Sequence, residues 1–257
     1  MKFWTDFRPA TGVLAALVLF LAVGAAAQTT NGLSDAEIQG RKLAQQLCDA
    51  RPAENFTNTG VLQIRDGTGN RSEIQFKCET IIMASNWCNY YEAHLQNGLF
   101  EKLSIDHSVN SPGGCFHEES SVSGRDSADS QCALLSVETT ASFANSDFWL
   151  CDLGLEFFHW PAQKILKKEF RRNCACQVLE STNPSPATNG YSRVVSWIDE
   201  DSGGIVQAEA YDARGQLLKE FAPKSFKKVN GQWELQEMEI RNVQTGSRTR
   251  LEFDLKK

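Results

Sequence analysis

Four glycine-containing turns divide the C-terminal third of the chain at regular intervals, and this spacing constrains the fold more than any other feature. The turns are Ser202-Gly203-Gly204, Arg214-Gly215, Asn230-Gly231 and Thr245-Gly246. Short glycine turns of this kind join antiparallel strands, and the segments between them have the length of strands. The strands predicted from the pattern are 191–199, 205–211, 217–221, 233–241 and 248–255. The sequence therefore predicts an antiparallel meander, and it contains no strand–helix alternation that would indicate a parallel sheet.

Apolar and polar side chains alternate in the clearest of these strands, which indicates a sheet with one dry face and one wet face. In the last strand the dry face carries Thr249, Leu251, Phe253 and Leu255. A second clear case follows the turn 66–70, where the dry face carries Ile74, Phe76, Cys78, Thr80 and Ile82. Segment 61–65 precedes that turn as a strand. Segments 87–95 and 103–109 continue the alternation less clearly, and the second places His107 on the side of Leu103 and Ile105.

The N-terminus has the order of a secretory signal peptide. Basic Lys2 and Arg8 precede an apolar run over 13–23, and small residues follow over 24–27. We predict cleavage after Ala27, with an uncleaved anchor as the alternative. The remaining chain, 28–257, is predicted to be a single domain that opens with an amphipathic helix over 34–48, because Ser34-Asp35-Ala36-Glu37 has the form of a capping box.

Charge and cysteine content narrow the classes of partner and site. The formal net charge of −6 argues against nucleic acid or an anionic lipid surface as a partner held by broad electrostatics. Eight cysteines in an exported chain indicate disulfides or buried free thiols. Cys115 and Cys132 flank the polar segment 110–132, predicted to be an exposed loop, and are the first candidate pair. Cys174-x-Cys176 lies on one side of a strand and lacks the second close pair of a zinc site.

Catalytic motifs are weak throughout the sequence. The four histidines, His94, His107, His117 and His159, show no metal-binding spacing. Segments that begin like a dinucleotide fingerprint, a zincin helix or a nucleophile elbow each lack a required residue. We therefore expect a protein that is not an enzyme and needs no cofactor.

An aromatic segment stands out between residues 146 and 172. Trp149, Leu153, Phe157 and Trp160 recur at i, i+4, i+8 and i+11, which predicts one face of a helix. Pro161 is expected to end or kink that helix and to open a second helix over 162–170. Two Trp and three Phe within the 13 residues 148–160 exceed what one packed stripe requires. The segment is therefore either a core helix on the sheet or a lid over an apolar cavity.

The same segment and the C-terminal strands resemble a known family. The residues that carry the resemblance are Phe148-Trp149-Leu150-x-Asp152-Leu153-Gly154-Leu155-Glu156-Phe157-Phe158-x-Trp160-Pro161, Leu179-Glu180-Ser181-Thr182-Asn183-Pro184, Ser196-Trp197-Ile198-Asp199, Ala210-Tyr211-Asp212, Lys228-Val229-Asn230-Gly231 and Glu239-Ile240-Arg241-Asn242-x-x-Thr245-Gly246-Ser247-Arg248-Thr249. With them the chain resembles a divergent branch of the LolA-like periplasmic lipoprotein-sorting (outer-membrane lipoprotein carrier) family.

The resemblance implies an α+β, mainly β fold: an incomplete antiparallel β-barrel, or strongly curved sheet, with an N-terminal helix and a central helical lid over a hydrophobic cavity. It implies a periplasmic carrier that binds the acyl chains of a lipoprotein or a lipid, receives them from an inner-membrane transporter and delivers them to an outer-membrane acceptor. We expect a monomer. The alternative is a non-enzymatic envelope module for protein interaction or scaffolding on the same fold, which would have a packed interior.

The residues predicted to line the cavity come from the lid and from the sheet. The lid is expected to contribute Trp149, Leu153, Phe157 and Trp160. The sheet is expected to contribute Trp197, Met238, Ile240, Leu251, Phe253 and Leu255.

Overall fold

The computed structural model describes residues 32–95, 98–108, 115–122, 139–229 and 231–255. The predicted signal peptide, 1–27, lies outside these residues. So does Cys132, and with it the predicted pairing with Cys115.

In the described residues, twelve antiparallel strands form one open sheet, and two α-helices accompany them. The first helix is α1 (Asp35–Cys48) and the second is the single turn α2 (Leu150–Leu153). The strands are β1 (Phe56–Arg65), β2 (Arg71–Ile82), β3 (Asn86–His94), β4 (Leu99–Ser108), β5 (Cys115–Val122), β6 (Ala162–Arg171), β7 (Cys174–Thr182), β8 (Tyr191–Asp199), β9 (Ile205–Asp212), β10 (Leu217–Val229), β11 (Gln232–Asn242) and β12 (Arg248–Phe253). Their order is β5-β4-β3-β2-β1-β12-β11-β10-β9-β8-β7-β6, so β5 and β6 are the two edges. The predicted fold class, a curved, unclosed antiparallel sheet like an incomplete barrel, is confirmed.

The predicted meander is present as β8 to β12. Gly203, Gly215, Gly231 and Gly246 at its turns all have positive φ, a conformation that glycine adopts without steric cost. Strand β10 extends eight residues past the predicted end at Phe221. It does so by accommodating Pro223 at an irregularity in its pairing with β11, where a proline in a sheet is tolerated.

Two predicted elements are wrong. Segment 162–170 is the edge strand β6 instead of a helix, paired with β7 along its length and bulged between Ile165 and Lys167. Its many lysines are typical of a protected sheet edge, which the helical periodicity did not distinguish. Within the predicted loop 110–132, residues 115–122 form β5 and pair with β4.

Helix α1 lies across β6 and begins at the predicted capping box. The Ser34 side chain accepts from the Glu37 backbone N–H, and the Glu37 carboxylate accepts from the Ser34 backbone N–H at 2.8 Å. Gly40 brings the helix close to the strand, because a Cβ at this position would lie 2.5 Å from the Lys164 backbone nitrogen.

The core divides into two clusters on the concave face of the sheet. One cluster joins β1 to β4, β11 and β12 with Phe143, Phe148 and Leu150. The other joins β7, β8 and β9 with α1 and with Phe157 and Phe158. The outer face carries a smaller cluster of Cys176, Val178, Val195 and Trp197.

Candidate functional site

A cavity lies between the two core clusters, enclosed by the sheet on one side and by residues 147–160, here called the lid segment, on the other. The space in it that the centre of a water molecule can occupy is about 170 Å³, within about 1590 Å³ of space free of protein atoms that includes open solvent. Its walls are mostly apolar. Of the ten predicted residues, those that line the cavity are Leu153, Phe157, Met238, Ile240, Leu251 and Phe253.

The lid segment is less helical than the periodicity predicted. Helix α2 ends after one turn at Gly154, and Leu155 adopts a left-handed conformation with φ of 50°. A turn of 3-10 helix, Glu156–His159, follows. Because this break rotates the second half of the segment, the residues at i, i+4, i+8 and i+11 do not share one face.

The other four predicted residues lie away from the cavity wall. Trp149 stacks on Tyr191 with ring centroids 4.7 Å apart, and Trp160 packs against the second core cluster. Leu255 is buried in the first cluster. The predicted placement of Trp197 is wrong: its ring lies on the outer face, where its indole N–H donates to Glu169. Its neighbours Val194 and Ile198 are the residues of β8 that face the core.

A buried cation ties the lid segment to the sheet. Lys219 on β10 is 2% exposed, and its Nζ donates to the Asp147 carbonyl at 2.7 Å and contacts Asp152 Oδ2 at 3.2 Å. The same Nζ lies 3.5 Å from the centre of the Trp149 ring. The Tyr191 hydroxyl donates to Asp152 Oδ1 at 2.9 Å. Burial lowers the pKa of Lys219, and burial beside Asp152 raises the pKa of Tyr191.

Two further polar side chains fix the ends of the lid segment. At one end the Asp147 carboxylate accepts from the Thr249 hydroxyl at 2.9 Å. At the other end Gln163 donates to the carbonyls of Phe157 at 2.9 Å and Trp160 at 2.8 Å, and its own carbonyl accepts from Ser181. These bonds hold the backbone of the lid at a defined height above the sheet.

One end of the cavity carries a chain of hydrogen bonds. The Thr80 hydroxyl donates to Asn89 Oδ1 at 2.7 Å, and Asn89 Nδ2 lies 3.0 Å from His107 Nε2. His107 stacks on Trp87, with centroids 5.0 Å apart and the planes within 7°. Burial lowers the pKa of His107 to about 4, and His159 of the lid segment adds to this effect. All five side chains line the cavity.

Metal and membrane-spanning features are not found in the part of the chain that the structure describes. Within it, no three His, Cys, Asp or Glu side chains are grouped to hold a metal ion. No described helix is long and apolar enough to cross a membrane. Six of the described cysteines, Cys48, Cys78, Cys88, Cys151, Cys174 and Cys176, are free thiols.

Several site residues were missed by the sequence interpretation. The alternation did place Thr80 and His107 on the dry face, which was the available signal for the polar end. The sequence contained no signal that Lys219 is buried, because a lysine in a strand is ordinarily exposed. Its burial depends on Asp147 and Asp152, which are about 70 residues away in the chain.

Comparison with known proteins supports the fold. A protein-family model described as "Uncharacterized protein" matches residues 133–256, just under half of the chain. No curated protein matches this chain. Solved structures similar to it include the following three, each at 20% sequence identity or less.

The first of these structures, a DUF1329 family protein from Desulfovibrio piger, has a TM-score of 0.61 and 18% identity, over 86% of this chain and 92% of that chain. A domain assigned to outer membrane lipoprotein sorting, from Vibrio parahaemolyticus, has a TM-score of 0.66 and 20% identity, over 85% and 92%. A LolA superfamily protein from Nitrosomonas europaea has a TM-score of 0.52 and 12% identity, over 86% and 93%. The chain therefore has the LolA-like fold, and the resemblance seen in the sequence is confirmed at that level.

Proposed function

We propose that this protein is an exported, periplasmic carrier that binds the acyl chains of a lipoprotein or a lipid in the cavity and sorts them to the outer membrane. The observation that carries the proposal is the apolar cavity between the concave sheet and the lid segment. No covalent chemistry is required, because the cavity binds by removing hydrocarbon from water.

The energetics suit a carrier that must also release its cargo. Burial of a roughly 16-carbon chain could yield about 12 kcal/mol at about 0.8 kcal/mol per CH₂. Ordering the chain and displacing the lid rings offset part of this gain. Phe157 and Phe158 compete with cargo for the same apolar surface, since they belong to the second cluster and also line the cavity. This competition lowers the net affinity and favours transfer to an acceptor.

The periplasmic location and the partners of the proposal have separate support. The signal-peptide pattern supports export, and the domain from Vibrio parahaemolyticus with the same fold is one assigned to lipoprotein sorting. The proposed donor is an inner-membrane transporter and the proposed acceptor lies in the outer membrane. A scaffolding module would have a packed interior, so the cavity favours the carrier over that alternative.

Filling the cavity tests the proposal directly. Ala208 on β9 lines the cavity, and Ala208→Phe would place a ring in it. Val206→Phe on the outer face is the matched control, because Val206 packs against the outer cluster. Uptake of the methyl ester of a fluorescent fatty acid, and the lipid extracted from natively purified protein, should fall in Ala208→Phe and persist in Val206→Phe. Equal uptake by both folded variants would contradict the proposed cavity, and no uptake by the wild type would contradict the carrier itself.

A further inference from the structure

The indole N–H of Trp87 is a buried donor that finds no partner among the described residues. The Trp87 side chain is 2% exposed and lines the cavity, and Nε1 has no hydrogen-bond partner among the described residues. Buried polar groups in native structures are almost always paired, so an unpaired donor on a cavity wall needs a physical explanation. An acceptor atom carried by a ligand in the cavity would supply the missing partner.

The ring of His107, which stacks on Trp87 and lines the same cavity, carries a second N–H donor. In the observed orientation the Asn89 amide donates to His107 Nε2, and the Thr80 hydroxyl donates to the Asn89 carbonyl. Because Nε2 accepts, the proton of the neutral ring lies on Nδ1. Thr80 and Asn89 thus fix the tautomer of His107, and the two stacked rings of Trp87 and His107 both carry N–H donors.

The charges around these rings select the kind of acceptor. Asp106 lies close enough to act on His107 electrostatically, and Asp49 acts in the same way on His159. The cation on the described cavity wall, Lys219, is already paired with Asp152. An anionic carboxylate or phosphate would therefore enter an apolar, uncompensated site at high cost. A neutral carbonyl oxygen needs only the two N–H donors.

We propose that Trp87 and His107 form a polar subsite that binds the carbonyl oxygen of an acyl ester or amide, while the attached hydrocarbon chain occupies the cavity. The inference rests on the proposed function and adds to it a ligand class: acyl chains joined through a neutral ester or amide, in preference to free fatty acid anions or plain hydrocarbon.

Infrared spectroscopy on the wild-type protein tests the subsite without any substitution. With methyl palmitate labelled with ¹³C at the carbonyl, we expect the bound carbonyl band at lower frequency than in a hydrocarbon solvent, because hydrogen bonding weakens the C=O bond. A bound band at the hydrocarbon position would overturn the subsite.

Affinity provides the second readout. The ratio of methyl palmitate affinity to hexadecane affinity, measured by displacement of a fluorescent probe, should be about five- to tenfold larger in the wild type than in Trp87→Phe, given the worth of one hydrogen bond. His107→Phe, which keeps an aromatic ring, should reduce the ratio similarly. Trp233→Phe is the matched control, because that exposed indole lies outside the cavity lining, and it should leave the ratio unchanged.

The outcomes separate the two proposals. Binding of both ligands with a ratio that neither Trp87→Phe nor His107→Phe changes would overturn the subsite and leave the carrier standing. Failure of the wild type to bind either ligand would overturn the carrier, and the subsite with it. If Trp87→Phe does not fold, the wild-type carbonyl band and His107→Phe still decide the matter.

Discussion

Replacing Lys219 by methionine tests whether the buried cation holds the lid segment in place. Methionine has a similar length and keeps the apolar part of the side chain, but it cannot bond the Asp147 carbonyl or pair with Asp152. Breaking a buried ion pair from one side costs about 3–5 kcal/mol, because the remaining charge is left uncompensated. Asp152 still accepts from the Tyr191 hydroxyl and from the Trp149 backbone N–H at 2.9 Å. We therefore expect Lys219→Met to lower the free energy of unfolding by about 3 kcal/mol.

Urea unfolding followed by circular dichroism measures this loss, and a double-mutant cycle isolates the pair. Asp152→Asn removes the negative charge and keeps an acceptor, so the double variant should be more stable than the sum of the two single losses by about 1–3 kcal/mol. Hydrogen exchange should show faster exchange at residues 150–159 in Lys219→Met than in the wild type. A loss below about 1 kcal/mol, or strictly additive losses, would show that Lys219 does not anchor the lid segment.

Three further predictions concern other parts of the structure. The pKa of His107 is about 4 in the folded chain, compared with an ordinary 6.5. As the pH falls below 6.5, the unfolded chain therefore binds a proton that the folded chain does not, and the free energy of unfolding decreases. We expect His107 to contribute a loss of about 2 kcal/mol by pH 5 in urea unfolding, so the loss should be smaller by about that amount in His107→Gln and unchanged in the exposed control His94→Gln. Gly40→Ala should destabilise the fold by about 1–2 kcal/mol in thermal unfolding, because the added methyl group would clash with the Lys164 backbone. This loss should exceed the gain from the better helix propensity of alanine. A gain in stability would contradict the close approach of α1 to β6. Trp197→Phe should leave uptake of the fatty-acid methyl ester unchanged, and a loss of uptake in the folded variant would contradict the outer-face position of the ring.

Side-chain alternation made most of the sheet predictable from the sequence. In β12 the residues Thr249, Leu251 and Phe253 are buried on alternate positions, as the pattern required, since the period of a strand assigns each side chain to a face. The glycine turns then fixed which strands are neighbours. Trp197 was placed on the wrong face because every residue from Val194 to Ile198 is buried, so that strand has no wet face to set the parity.

The aromatic segment was the least predictable part. Leu153 and Phe157 have helical spacing, but α2 ends at Leu153, so the α-helical periodicity does not extend to Phe157. The spacing gives no sign that Leu155 adopts a left-handed conformation. This conformation is sterically disfavoured for residues other than glycine, so a sequence pattern does not predict it. The strand β6 was misread for a related reason: its side chains are mostly exposed, so the alternation that marks a strand is weak there.

The polar contacts that the sequence did not reveal explain why an apolar cavity can persist beneath a cover of aromatic rings. Apolar attraction has no preferred direction and by itself would draw the lid segment onto the sheet until the space closed. Hydrogen bonds have a defined length, and here Lys219 bonds the Asp147 carbonyl while Gln163 bonds the carbonyls of Phe157 and Trp160. Both donors are buried, so releasing the carbonyls would leave unpaired polar groups away from water. The height of the cover is therefore set by directional bonds at its two ends, and the space between them stays available to a hydrocarbon chain.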